Sequence, residues 1–392
     1  MIRRQQRYFF IAFCLVVFTP LIGGLIAPEA ALIVEREKRP LNAPPNWPTS
    51  FGQLTNLSAT LEPYLADRFG LRYEMIRLYA NLNLRLLRDG NEKVFVGSND
   101  RMFLRSEESV FQSAGIVRRD QLIADTVTII AEMNDLLKKQ GIRFVVASPP
   151  NSASIYPDEL PRWLRNQGRF TEYDLLLGAL RAHGINVVDL RASLRQARTT
   201  GNLYFLHDTH WTPRGSIIGF NSVAEAAGHP DWKLDVDASL LKPIPLRGGD
   251  LARMLGVEED VTEAIENLSF AANPELEFTS DHPAPPEQPA FSVAGRRSGE
   301  TLLVLGDSFT QTFFPPLLVD HVGRLVWMSH VECGLDWALV DKIHPDEIWW
   351  MPTEREFLCF RGRPDHFPSY FALKGQLPPQ TLLTTEFPAN AR

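Results

Sequence analysis

Apolar positions along this chain change their rhythm several times, and each change predicts an element. Residues 8–27 run without a charge, long enough to cross a bilayer as a helix. Pro40, Pro44, Pro45 and Pro48 then predict an extended spacer over residues 29–50. Helical spacing returns over residues 51–87, with Leu61, Tyr64, Leu65 and Phe69 followed by Ile76, Leu78, Leu82 and Leu86. Two short apolar runs, 93–97 and 102–105, flank Ser98-Asn99-Asp100 and predict a hairpin. From there the pattern alternates. An amphipathic helix is predicted over 120–139, a buried strand over 143–147, a helix over 173–183, a strand over 186–189 and a helix over 190–198. A further strand is predicted over 203–206. The helix after it has Thr212 as N-cap and Pro213 at its first position. Residues 230–300 are rich in proline and acid, and predict an insertion lying over the sheet with a short helix at 250–255. The rhythm resumes with a strand over 301–305, a helix over 310–321, a strand over 324–328, a helix over 335–343 and a strand over 347–351. Residues 364–392 are irregular and proline-rich, and no internal repeat is present.

This alternation predicts an α/β fold built on a doubly wound, mostly parallel sheet. The expected organisation is an N-terminal membrane anchor or signal over 1–28, the spacer over 29–50, a catalytic domain over 51–363 carrying the insertion at about 230–300, and an irregular tail over 364–392.

The charges add a direction. Arg3, Arg4 and Arg7 precede the uncharged run, so the positive-inside rule keeps them cytoplasmic and sends the rest of the chain outward. A secretory signal has a shorter apolar core, roughly 7–15 residues, with a small-residue cleavage site. No such site follows here, and Pro28 hinders cleavage just before it, which favours an uncleaved transmembrane helix over a cleaved signal. The expected location is thus the cytoplasmic membrane, single-pass, with the domain in the periplasm. Cys333 and Cys359 would then face an oxidising compartment, where they either pair or stay free. The net charge of −7 is mild, and no basic run beyond the first residues and no stacking motif points to nucleic acid. No Cys or His spacing suggests a metal, and no cofactor is expected.

Candidate chemistry sits at two junctions. Thr301 to Leu305 ends in Gly306-Asp307-Ser308, so Ser308 falls just past a strand, where an α/β sheet faces its ligand crevice. At the start of a helix its backbone N–H can meet a developing anion, which makes Ser308 a candidate nucleophile. Asp208 and His210 stand two residues apart after the 203–206 run. The carboxylate can reach Nδ1 and leave Nε2 free to take the Ser308 proton, a Ser–His–Asp system in the chain order Asp, His, Ser. Asp307 reads as a turn-stabilising residue and His207 as structural. Asn151, past the 143–147 strand, reads either as a second oxyanion donor or as a loop cap. Arg355 would steady an anionic substrate or the oxyanion, or pair with Glu354 or Glu356. Trp211 reads equally as a sugar-stacking platform and as core.

Several of these segments, in this order, resemble the membrane-anchored, SGNH-hydrolase-like alginate O-acetyltransferases of the AlgJ/AlgX group. They are the basic anchor, Tyr64-Leu65-Ala66-Asp67-Arg68-Phe69-Gly70-Leu71-Arg72, the hairpin of residues 93–104, Ile155-Tyr156-Pro157, Asp208-Thr209-His210-Trp211-Thr212, Gly249-Asp250-Leu251-Ala252, Gly306-Asp307-Ser308 and Glu354-Arg355. The resemblance covers most of residues 50–360. It departs at Arg101-Met102, where the group usually has Gly-Trp, and at Ser152, near where a lysine is common. It implies an SGNH-hydrolase-like fold with permuted motif order, Ser308 as nucleophile, His210 as base and Asp208 as orienter. It also implies acetyl transfer to hydroxyls of an exported polysaccharide, with acetyl groups supplied across the membrane by a multi-spanning acyltransferase. Two other functions fit the residues: an acetylesterase using the same triad with water as acceptor, and a non-catalytic anchored scaffold that binds polysaccharide.

Overall fold

The computed structural model of the protein describes residues 2–26, 40–67, 70, 72–166, 168–270, 278–279, 288–331 and 333–359. The chain divides into two units, residues 1–88 and 89–392. In the first, helix α1 spans Ile2–Ile26. It is followed by α2 (Phe51–Thr55), α3 (Leu57–Ala66) and α4 (Arg72–Leu82). Ser50 caps α2 by accepting from the Gln53 N–H. Asn42 donates through its backbone and side-chain nitrogens to Asp67 Oδ2 at 2.7 and 2.8 Å, which fastens residues 40–50 to the end of α3. The expected transmembrane helix coincides with α1 but is not supported by it. Among the described residues no helix is long and apolar enough to cross a membrane. The helix opens on Arg3, Arg4, Gln5, Gln6 and Arg7, so five of its first six residues are polar. Residues 27–39, with half of the expected spacer, and the tail over 364–392 lie outside the described residues.

The second unit carries the alternation read from the sequence. Its strands are β1 (Val94–Val96), β2 (Met102–Leu104), β3 (Arg143–Val146), β4 (Asn186–Val187), β5 (Ile244–Arg247), β6 (Thr262–Ile265), β7 (Phe278–Thr279), β8 (Ala290–Ala294), β9 (Thr301–Gly306), β10 (Arg324–Ser329) and β11 (Glu347–Met351). Its α-helices are α5 (Ser109–Ser113), α6 (Asp120–Lys139), α7 (Ser152–Ile155), α8 (Glu172–Ala182), α9 (Leu190–Ala197), α10 (Pro213–Ala226), α11 (Asp250–Leu255), α12 (Ser308–Leu318) and α13 (Trp337–Ile343). Seven strands form one sheet in the order β4-β3-β11-β9-β10-β8-β7. The first five are mutually parallel, whereas β8 runs antiparallel to β10 and β7 antiparallel to β8. The 230–300 region therefore does more than lie over the sheet. It extends the sheet at one edge, where Phe291 of β8 stacks on Trp327 of β10 with ring centroids 5.2 Å apart.

Both faces of the parallel strands are buried, so the strands read as continuous apolar runs. Along β9, Leu302 and Val304 enter a core with Ile217 and Phe220 of α10 and Phe314 and Leu317 of α12. Leu303 and Leu305 point the other way, toward Ile123 and Ile130 of α6, Leu176 of α8 and Val340 of α13. The result is a helix–sheet–helix sandwich, as the doubly wound expectation requires.

One expected strand is absent from this sheet. Residues 203–206 make only an isolated antiparallel bridge, Tyr204 to Trp211. Their backbone groups are taken up elsewhere. The Arg101 guanidinium donates to the carbonyls of Tyr204 and Phe205 at 3.1 and 3.2 Å, Met102 N–H donates to Leu206 O, and Glu263 accepts from the Leu206 and His207 N–H groups. Cys333 and Cys359 form a disulfide with Cα atoms 5.4 Å apart, joining the segments that follow β10 and β11.

Because β3, β11 and β9 are adjacent and parallel, the loops after them leave the same end of the sheet. These loops carry Asn151, Arg355 and Ser308, and this is the end where open α/β sheets bind ligands.

Candidate active site

The serine turn is built by its neighbour. Asp307 caps α12: Oδ1 accepts from the Phe309 N–H at 3.0 Å, and Oδ2 accepts from the Thr353 N–H at 2.7 Å in the loop after β11. One carboxylate thus fixes the turn and ties it to the next loop, the turn-stabilising role its sequence suggests. Gly306 is required here, since a Cβ would lie 2.2 Å from Thr310 Oγ1. Ser308 opens α12 with its side chain exposed. Its backbone N–H sits at the positive end of an eleven-residue helix, where an oxyanion is favoured.

The histidine turn comes from another part of the chain. Asp208 Oδ1 accepts from the His210 N–H at 3.0 Å and lies 2.7 Å from His210 Nδ1. A carboxylate only accepts, so Nδ1 carries the proton and Nε2 is left as acceptor. Nε2 lies 2.8 Å from Ser308 Oγ. The three residues picked from the sequence are therefore brought into one hydrogen-bonded chain. Burial pushes the Asp208 carboxyl up, but the His210 hydrogen bond and charge, with the N–H groups of Asp250 and His210, bring it below the usual value. It remains an anion able to stabilise an imidazolium.

The turn is held from below by Arg101, which is 1% exposed and pairs with Glu159 at 2.8 Å, its guanidinium lying 3.7 Å over the Tyr156 ring. Arg101 directly follows the Ser98-Asn99-Asp100 turn of the hairpin, and this is its use. Replacing it with methionine leaves Glu159 buried without its cation and two carbonyls without donors. Arg101→Met should cost about 3–5 kcal/mol in chemical denaturation and slow turnover by disordering residues 204–210.

Three other expected residues resolve differently. Trp211 is fully buried, donates to Phe309 O at 3.0 Å and stacks on Phe314. Its sugar-stacking role is ruled out, because no ring face is exposed. It is core that seats the histidine turn on the serine helix. Asn151 does not serve as an oxyanion donor. Its amide nitrogen is committed to Ser113 Oγ and Ser109 O and its backbone N–H to Glu354. It caps the loop. Arg355 lies beside the nucleophile turn, its guanidinium carbon 5.3 Å from the Phe309 ring centroid, and its ion partner is Glu107 rather than Glu354. Glu354 is fully buried and accepts from Ser113, Ser154 and the Asn151 N–H, tying the loops after β3 and β11 together. Burial pushes its carboxyl up against those donors. His207 is buried, with Nδ1 3.5 Å from Glu263, a structural place.

Sequence reasoning assigned no role to Asp250. Its N–H donates to Asp208 Oδ2 at 2.9 Å, and its carboxylate accepts from Thr209 N–H and Oγ1 at 2.8 and 2.6 Å. Burial, and then the charge of Asp208, raise its carboxyl above the usual value. The Gly249-Asp250-Leu251-Ala252 string was the only signal, and its spacing says nothing of this contact. Potential ligand atoms of Asp208, His210 and Asp250 lie within 4.8 Å of one another. The carboxylate oxygens are already taken up by N–H and O–H donors.

Residues 94–343 match the family model described as SGNH hydrolase-like domain, acetyltransferase AlgX. Curated relatives include the "Probable alginate O-acetylase AlgJ" of Pseudomonas putida, 26% identical over 178 residues covering 44% of this chain and 45% of that protein. The protein of the same name in Pseudomonas fluorescens is 29% identical over 185 residues, covering 45% of this chain and 46% of that protein. The chain thus spans about half the length of the curated relatives it matches. Among solved structures, the O-acetyltransferase domain of Pseudomonas putida AlgJ aligns with a TM-score of 0.47 at 16% identity, covering 71% of this chain and 97% of that one.

Proposed function

Because the chain belongs to the family of the SGNH hydrolase-like AlgX acetyltransferase domain, we propose that it is a serine O-acetyltransferase acting on hydroxyls of an exported polysaccharide of the alginate class. The observation that carries this reading is the chain Asp208–His210–Ser308, with links of 2.7 and 2.8 Å. Ser308 Oγ gives its proton to His210 Nε2 and bonds to the acetyl carbonyl carbon. The carbonyl oxygen becomes an anion facing the Ser308 N–H at the start of α12. The C–O bond to the donor breaks, the imidazolium returns its proton to the departing oxygen, and acetyl-Ser308 remains. A sugar O–H then gives its proton to Nε2 while its oxygen attacks the ester, and the proton passes back to Ser308 as the C–Oγ bond breaks.

Asp208 keeps the imidazole in the required tautomer throughout. Arg355, beside Phe309 and paired with Glu107, would meet the carboxylate of a uronate chain by sharing its guanidinium between the two. The acetyl donor is supplied from outside this chain, by a multi-spanning membrane acyltransferase in this reading. We place the site outside the cytoplasm, in the periplasm. The disulfide supports this, since such bonds persist in oxidising compartments.

Water competes with sugar at the second step, and the exposure of Ser308 favours an esterase as the second reading. Incubating the protein with an activated acetyl ester and mannuronate oligosaccharides separates them. Acetylated oligosaccharide, formed faster than free acetate, is the expected product. Acetate alone, unchanged by oligosaccharide, would make the protein an esterase.

A further inference from the structure

The geometry points to Asp250 as a positioning residue of this site, clasping the Asp208-Thr209-His210 turn so that the imidazole is aimed at Ser308. This rests on the serine-acyl reading above. The clasp is reciprocal. Asp250 offers its backbone N–H to Asp208 Oδ2 at 2.9 Å, and its carboxylate receives both the N–H and the hydroxyl of Thr209 at 2.8 and 2.6 Å. Two residues on either side of one peptide are thus held by a single side chain and its own backbone, from 41 and 42 positions away in sequence. With Asp208 Oδ1 taken by His210 and Oδ2 by Asp250, the orienting carboxylate has no freedom to rotate.

The approach is tight as well as specific. Gly249 holds φ +139, and a Cβ there would stand 2.2 Å from His207 O. Ala252 N–H donates to the same carbonyl at 3.1 Å. The turn that delivers Asp250 is therefore pressed against the turn that carries His210, and only glycine allows it.

Among the described residues the acid at 250 has no cation beside it: no lysine or arginine pairs with Asp250, while Asp208 lies beside it and the site is half-buried. A neutral acceptor would satisfy Thr209 at lower cost. The charge has a use nearby: Oδ2 is 3.9 Å from His210 Nδ1 and Thr209 Oγ1 is 3.4 Å from it. When Ser308 has given up its proton, a second carboxylate beside Nδ1 favours the ring that holds it.

The test is single-turnover acetylation by p-nitrophenyl acetate, which needs no sugar acceptor, using the full chain. Asp250→Asn and Thr209→Val should each slow acetylation, by up to about a hundredfold, with KM little changed. Thr209→Ser, which keeps the hydroxyl, should recover most of what Thr209→Val loses, an outcome that a loss of packing alone would not give. Should Asp250→Asn fold poorly, Thr209→Val carries the test, since it deletes one hydroxyl and keeps the shape. Rates in Asp250→Asn and Thr209→Val within about twofold of wild type, or losses confined to KM, would overturn the assignment. Ser308→Ala is measured alongside. If it fails to acetylate while Asp250→Asn is normal, Asp250 is discarded and the serine kept. If it still acetylates, the serine reading itself falls.

Discussion

Ser308→Ala removes the acyl-enzyme and lowers turnover of an activated acetyl ester by about 10⁴- to 10⁶-fold. The size follows from what is lost. Without Oγ there is no nucleophile for His210 to activate, and no covalent intermediate to divide the transfer into two steps. What remains is the helix N-terminus and the shape of the crevice, which act on water poorly. The fold should be unharmed, because Ser308 is exposed and the turn is held by Asp307 through the Phe309 and Thr353 N–H groups. Far-ultraviolet circular dichroism and thermal melting should therefore match wild type while the ester burst disappears.

Asp208→Asn has the second-largest expected effect, a fall in the acylation rate of about 10⁴-fold with KM nearly unchanged. Every group facing Asp208 is a donor: the His210 N–H and Nδ1–H at Oδ1 and the Asp250 N–H at Oδ2. An asparagine amide must place its NH₂ against one set of them. If it faces His210, the proton moves to Nε2, and Nε2 can no longer accept from Ser308. If it faces Asp250, two N–H groups meet and the clasp opens. In both cases the anion that stabilises the imidazolium is gone. Stopped-flow acetylation of Asp208→Asn, Ser308→Ala and the double variant checks this. The double variant should be no slower than Ser308→Ala, because residues that act as a unit do not contribute additively.

The sequence made the parallel strands and the Asp208, His210 and Ser308 group legible for one physical reason. Both depend on local pattern. A run such as Leu302 to Leu305 fits a strand buried on two faces, and a serine or a histidine at its expected turn keeps its chemistry wherever the turn goes. What the sequence hid is held by distant partners. Residues 203–206 look like a strand because they are apolar, yet their backbone is bonded to Arg101 and Glu263. Trp211 offered an aromatic face that the structure buries against Phe309 and Phe314. Asp250 lies in the proline- and acid-rich insertion, where an acid looks like solvent-facing charge, and only the folded chain brings it to Thr209. Strands β7 and β8 were obscured by the same region, so the sheet is mostly parallel as the pattern predicted but carries an antiparallel edge that the pattern did not show. The pairing of Cys333 with Cys359 depends on a separation that spacing does not give.

The central claim is that an acetyl group rests on Ser308 between donor and acceptor. The most direct measurement is a quenched reaction with an acetyl donor, followed by proteolysis and mass mapping, and then the same reaction chased with oligosaccharide. The account predicts one acetyl group, on the peptide carrying Ser308, absent in Ser308→Ala and discharged by the oligosaccharide as acetylated sugar. An acetyl group on a different residue, or equal labelling of Ser308→Ala, would contradict it.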